Sequence, residues 1–167
     1  MNFRMLIRDR NNDDCGTVQQ ETAPPVTELS PAECWQYLGE ARFGRLGVYG
    51  EGEIDIIPIN IVARNNKVYF RSGAGSKLKK LLEHDRVTVE IDSVQGGMAY
   101  SVVARGQAWI LSGEDEIAMV NQLPLVPWIP TVKREYVEVS PTKVTGRHFQ
   151  LGHEPDDPAI EAYRNRG

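Results

Sequence analysis

The sequence predicts a mainly β protein, a six-stranded antiparallel β-barrel with short peripheral helices. Six segments rich in branched and aromatic residues carry strand patterning. Short runs of turn-forming residues separate several of them, which suits antiparallel neighbours. Only three short stretches have helical periodicity, too few for the repeated strand–helix–strand crossovers of a doubly wound sheet. Closure would also remove exposed sheet edges. An α+β sheet with other strand neighbours fits the same elements, because patterning locates strands better than it locates their partners.

The elements follow in order. Residues 1–27 are polar, contain "NNDD" and "APP", and read as a mobile or loosely packed N-terminal extension. In "LSPAECWQYLGEA", Ser30 caps a helix, Pro31 suits its first position and Glu33 completes a capping box. "RFGRLGVYG" is a strand whose buried face is left open, since Phe43, Leu46 and Val48 do not share one alternating side. "EIDIIPINIVAR" and "KVYFRS" form a hairpin around Asn65 and Asn66, residues that tolerate the left-handed backbone of a tight turn.

"SKLKKLLEHD" is a short helix with an apolar stripe of Leu78, Leu81 and Leu82 and a basic face of Lys77, Lys79 and Lys80. "RVTVEIDSV" and "MAYSVVARGQAWILS" are two strands joined by "QGG". Ser112 and Asp115 suit a reciprocal cap for a third helix whose apolar side is Ile117, Val120 and Leu123. "PLVPWIP" stops it, "REYVEVSPTKVTGRHF" is the last strand, and residues 150–167 form a tail. The domain therefore spans 28–149, one core for a chain of 167 residues.

Composition narrows the function. A net charge of -4 with mixed signs, and a basic run offset by Glu83 and Asp85, argues against nucleic-acid binding. No apolar run approaches membrane-spanning length, and the N-terminus lacks a secretory pattern. Cys15 and Cys34 do not make a disulfide framework, so a cytoplasmic protein is expected. The histidines have no metal-ligand spacing, and no metal site is expected.

The chemically informative stretch is "YFRSGAGSKLKK", residues 69–80. Arg71 offers a planar fork of donors and Ser72 and Ser76 add hydroxyls, with Gly73 and Gly75 clearing space. If Ser76 caps the helix, the free amides of its first turn and Lys77 complete an anion site. The run also fits an ordinary turn into a solvated basic helix, and it lacks the full spacing of a nucleotide-binding loop. In "DIIPINIV", Pro58 removes a backbone donor and marks an edge or bulge, beside a ligand or simply bent. Asn60 there supplies both amide donors and an acceptor.

Taken together, "RFGRLGVYGEGEIDIIPINIV", "KVYFRSGAGSKLKKLLEHDRVTVEID", "YSVVARGQAWIL", "LPLVPWIP" and "VEVSPTKVTGRHF" resemble, in order, the pyridoxamine 5'-phosphate oxidase-like family of flavin-binding split barrels, over residues 29–149. The resemblance implies a split β-barrel homodimer with flavin mononucleotide (FMN) at the subunit boundary. It implies that Arg71 and Lys77 hold the flavin phosphate, with Ser72 and Ser76 beside them, and that Pro58, Ile59 and Asn60 line the edge approached by the ring. Gln107 and Trp109, two apart on one strand, become a flavin-facing pair, although Trp109 equally suits barrel packing. Trp128 resembles an aromatic near the dimeric pocket, and is also a plausible hydrophobic latch; Arg147 and His148 suit the cofactor or a subunit interface.

The implied activity is oxidoreduction, a hydride or electrons passing between reduced flavin and a small organic acceptor. A noncatalytic flavin-binding role in storage, sensing or assembly shares every cofactor contact. Split barrels of this kind also bind the deazaflavin F420 or haem, the latter through residues such as His148 or His153. A complete pyridoxamine 5'-phosphate substrate pattern does not match residue by residue, so the resemblance does not carry that substrate.

Overall fold

The computed structural model describes residues 24–73, 75–126 and 133–152. Its strands are β1 (Val26–Glu28), β2 (Phe43–Gly50), β3 (Glu53–Arg64), β4 (Lys67–Ser72), β5 (Arg86–Gln95), β6 (Met98–Ile110) and β7 (Glu135–Gln150). The helices are α1 (Pro31–Glu40), α2 (Ser76–Glu83) and α3 (Glu114–Asn121).

Tight turns set the local pairing. Asn65 and Asn66, both at positive φ, turn β3 into β4, and Gly96 and Gly97 do the same between β5 and β6. Glu51 and Gly52, also at positive φ, join β2 to β3, a turn that the sequence pattern did not single out. Long-range pairing then runs β7-β4-β3-β2-β5-β6, and β6 returns to β7, so six antiparallel strands close a ring. This is the expected barrel. A seventh strand, β1, adds to the far half of β7 through Val26, Thr27 and Glu28. Three residues offer too little periodicity to announce it, and two of them lie inside the predicted extension.

Alternation fills the ring. Leu46, Val48, Ile61, Phe70, Val89 and Val139 are among the buried side chains of its core, and Cys34 and Leu38 of α1 join them. The open question on β2 is thereby settled: Gly44, Leu46, Val48 and Gly50 face inward, and Phe43, Arg45, Gly47 and Tyr49 face outward. A second cluster covers part of the outer wall, where Val120 of α3 and Leu123 meet Val62, Tyr69 and Tyr136.

The helix caps divide into one success and two corrections. Ser30 and Glu33 form the predicted box: the Ser30 amide donates to Glu33 Oε2 at 2.8 Å and the Glu33 amide to Ser30 Oγ at 3.3 Å. On α3 the cap position belongs to Gly113 and no side chain caps it, so the Ser112–Asp115 pair is not formed. On α2 the cap position belongs to Gly75, and Ser76 is the first helical residue. The α2 stripe also departs from expectation. Leu81 is buried but Leu82 is 73% exposed, while Lys80 is only 5% exposed and reaches Asp55 Oδ2 at 2.6 Å. Its stem crosses the face of Gly50, where a Cβ would come within 2.6 Å of Lys80 Cγ, so the missing side chain makes room for it.

Candidate functional site

One feature of the ring positions the site. β2 pairs with β3 from Glu53 to Asn60, whereas β4 pairs with β3 only from Ile61 to Arg64. Among the described residues, residues 53–59 of β3 have no strand partner on their other edge, and Pro58 lies on this stretch in unbroken register with Arg45. The edge reading of Pro58 holds; its register shows no bulge there. Proline costs least on such an edge because no ladder bond is lost.

Period-two alternation then chooses what the edge displays. Ile57, Ile59 and Ile61 turn toward the core, while Pro58 is exposed and Asn60 half-buried. On β4, Val68, Phe70 and Ser72 point inward and Arg71 outward. Asn60 and Arg71 consequently line one small cleft, together with Leu125, Val126 and Lys133. The structure thus unites residues from β3, β4 and the approach to β7.

Arg71 is firmly placed. Its Nη2 donates to the Lys133 carbonyl, and its guanidinium lies over the Tyr136 ring, 4.8 Å from the centroid. The Tyr136 hydroxyl in turn donates to Asn121 Oδ1 of α3. Arg71 Nε is buried and has no acceptor among the described residues, a donor for which an arriving anion is the natural partner. Lys77 rises from the first turn of α2, its ammonium 5.5 Å from the centre of the Phe70 ring. Burial pulls its pKa below the ordinary lysine value, and the positive charge of Lys133 adds to the effect.

Positive charge here is uncompensated. Among the described residues the ion pairs are made by Arg45, Lys67, Lys79 and Lys80, and none includes Arg71, Lys77 or Lys133. Because Gly75 offers no capping side chain, the first amides of α2 also keep their donors available. The arrangement suits a phosphate, which gains both hydrogen bonds and charge from such a cleft. A phosphorylated cofactor fits the residues present.

The other expected residues lie elsewhere. Ser72 is 1% exposed and faces inward, its hydroxyl donating to the Gly73 carbonyl at 3.0 Å, so it does not line the cleft. Gln107 and Trp109 do share the outer face of β6, but with different surroundings from Arg71. Gln107 donates to Asp85 Oδ2 at 2.8 Å, and Trp109, 45% exposed, is not barrel packing. Gln107 lines a larger groove of about 890 Å³ with Arg45, Ile54, Ile56, Arg86 and Arg105. His148 sits on β7 opposite Thr27, where its charge helps hold the Glu33 carboxyl low, after the larger effect of the Ser30 hydrogen bonds. Trp128 and His153 lie outside the described residues. Among the described residues, no group of three or more His, Cys, Asp or Glu side chains is placed to hold a metal ion, and no helix is long and apolar enough to cross a membrane.

Comparison with known proteins meets this geometry at the same segments. The family model for pyridoxamine 5'-phosphate oxidase matches residues 30–148. The chain belongs to this family. It is similar to a candidate pyridoxamine 5'-phosphate oxidase of Corynebacterium glutamicum, with 36% identity, a TM-score of 0.70, and coverage of 79% of this chain and 99% of that one. It is similar also to an FAD-binding protein of Mycobacterium smegmatis, at 32% identity and a TM-score of 0.64, covering 75% of this chain and 99% of the other. An uncharacterised protein of Mycobacterium tuberculosis is 33% identical over 95 residues, 57% of this chain and 86% of its own length. The ring with its open β3 edge is thus the split barrel of the pyridoxamine 5'-phosphate oxidase family.

Lys133 is the cleft residue that sequence reasoning missed. It stands alone in "TVKREYV" with no motif around it. Only the antiparallel pairing of β4 with β7 brings that segment beside Arg71.

Proposed function

We propose that the protein is an FMN-dependent oxidoreductase that passes a hydride or electrons between reduced flavin and a small organic acceptor. The observation carrying this reading is the cleft shared by Arg71 and Lys133, neither of which is ion-paired among the described residues, with Lys77 on the first turn of the helix that follows β4, in a member of this family. Arg71 and Lys77 hold the phosphate, and Pro58, Ile59 and Asn60 supply the edge along which the ring lies. The flavin brings the redox chemistry when bound. The chain's part is to bind, orient and shield it. Tyr69, on β4, keeps its proton at neutral pH: burial, with Glu138 beside it, pushes its pKa up to about 12.

The FAD-binding relative at 32% identity supports flavin chemistry and favours a second reading, FAD in the same cleft. Gentle purification followed by a visible spectrum and mass analysis of the released cofactor tests both. A flavin spectrum with the mass of FMN is expected; the FAD mass would favour the second reading, and F420 or haem would redirect the assignment. A colourless protein that also fails to bind added FMN would remove the proposal. Turnover of quinone or nitroaromatic acceptors by the reduced protein then separates an enzyme from a noncatalytic flavin carrier.

We also propose a homodimer. The outer face of β2 and β3 exposes Ile54 (74%), Ile56 (70%) and Tyr49 (46%) around the larger groove, an apolar surface that a second copy would cover. Light scattering should return twice the chain mass for the wild type. Ile54→Glu with Ile56→Glu should shift it to one chain mass, because burying two carboxylates in the interface costs their hydration. A wild type that is monomeric when loaded with flavin would reject the dimer.

A further inference from the structure

We infer that Lys133 is a further phosphate-binding cation, carried by the approach to β7 and lining the cleft beside Arg71. This rests on the reading of Arg71 and Lys77 as the flavin phosphate site, and extends it to the segment that enters β7.

Placement comes first. Lys133 lines the same cleft as Asn60 and Arg71, and its carbonyl is the acceptor that orients the Arg71 guanidinium. One Arg71 nitrogen is committed to that carbonyl and the guanidinium lies over Tyr136, while the buried Nε has no acceptor among the described residues and is available to a ligand. Charge comes second. Arg71, Lys77 and Lys133 are all half-buried, and none has a carboxylate partner among the described residues. Elsewhere in the chain Lys67, Lys79 and Lys80 each have a carboxylate oxygen at 2.6 Å. Lys143 also has no carboxylate partner among the described residues but is exposed on β7, where water screens it. Lys133 is close enough for its charge to disfavour the protonated form of Lys77. Like charges held together without a counterion oppose one another until an anion arrives.

A phosphomonoester carries roughly -1.5 to -2 charges near neutral pH and three acceptor oxygens. Arg71 on β4 and Lys133 before β7 line one cleft, and Lys77 on α2 is near enough to Lys133 to feel its charge.

The experiment compares FMN with riboflavin, which lacks the phosphate, by flavin-fluorescence titration of full-length apoprotein. Wild type should prefer FMN. Lys133→Gln should weaken FMN binding about tenfold, the scale of one lost charge-assisted contact, while riboflavin affinity stays within about twofold. Lys133→Arg should restore most of the preference. Unchanged FMN affinity in Lys133→Gln overturns the inference, as does equal weakening toward FMN and riboflavin, which would mark a structural role. If the wild type binds the two flavins equally, the phosphate reading of Arg71 and Lys77 fails first, and this inference with it. Thermal denaturation of each apo variant, expected to match wild type for a half-exposed lysine, shows that the fold is retained.

Discussion

Arg71→Ala is expected to weaken FMN binding about a hundredfold and to leave riboflavin binding nearly unchanged. A hydrogen bond to a charged group contributes about 1.5–3 kcal/mol, and about 1.4 kcal/mol corresponds to a tenfold change. Arg71 offers a fork of donors, one of which, Nε, is buried with no other acceptor among the described residues. Truncation removes that fork, the contact over Tyr136 and the tie to Lys133 together. Arg71→Lys should fall between wild type and alanine, since it keeps the charge and loses the planar geometry. Titration with both flavins decides the matter. Equal losses for FMN and riboflavin would mean that Arg71 supports the cleft without contacting phosphate, and an unaltered FMN affinity would discard the site.

Gly106→Ala is expected to produce the largest loss of stability, about 3 kcal/mol or more, without touching the cleft. A Cβ at Gly106 would stand 2.1 Å from the Ser140 carbonyl oxygen and 2.6 Å from Pro141 Cα. Both are backbone atoms, so no side chain can swing away and the clash must open the ladder. The position matters because the β6–β7 register shifts between Arg105 and Gly106, and this pairing closes the ring. Gly47→Ala is the control: its Cβ would meet nothing nearer than 3.7 Å, and stability should stay within about 1 kcal/mol of wild type. Urea unfolding of the two variants tests the contrast. A Gly106→Ala protein with a wild-type midpoint would show that the bulge yields freely.

Much of the fold was legible because its signals are local. Asn65 and Asn66 announced a turn whose positive φ values the structure bears out, and Ser30, Pro31 and Glu33 announced a helix start with its reciprocal bonds. Legibility ended where a residue's role depends on a distant neighbour. Lys80 reads as part of a solvated basic face, yet the absence of a side chain at Gly50 lets its stem lie buried and reach Asp55. Ser72 reads as a second hydroxyl for the anion, yet strand alternation turns it inward while Arg71 turns outward. The caps of α2 and α3 went to glycines whose conformations no local rule favours over the neighbouring serines.

For the site the division is similar. Residues 69–80, read alone, announce a strand ending near Arg71, a glycine-bearing turn and a helix starting near Lys77, because backbone propensity and side-chain period act over a few residues. Tertiary structure decided that β4 pairs with only the last four residues of β3, that Asn60 shares the cleft of Arg71, and that Lys133 arrives from more than fifty positions away. Those facts follow from ring closure through β7, a pairing set by the fit of whole strands around one core, which no short window of residues contains.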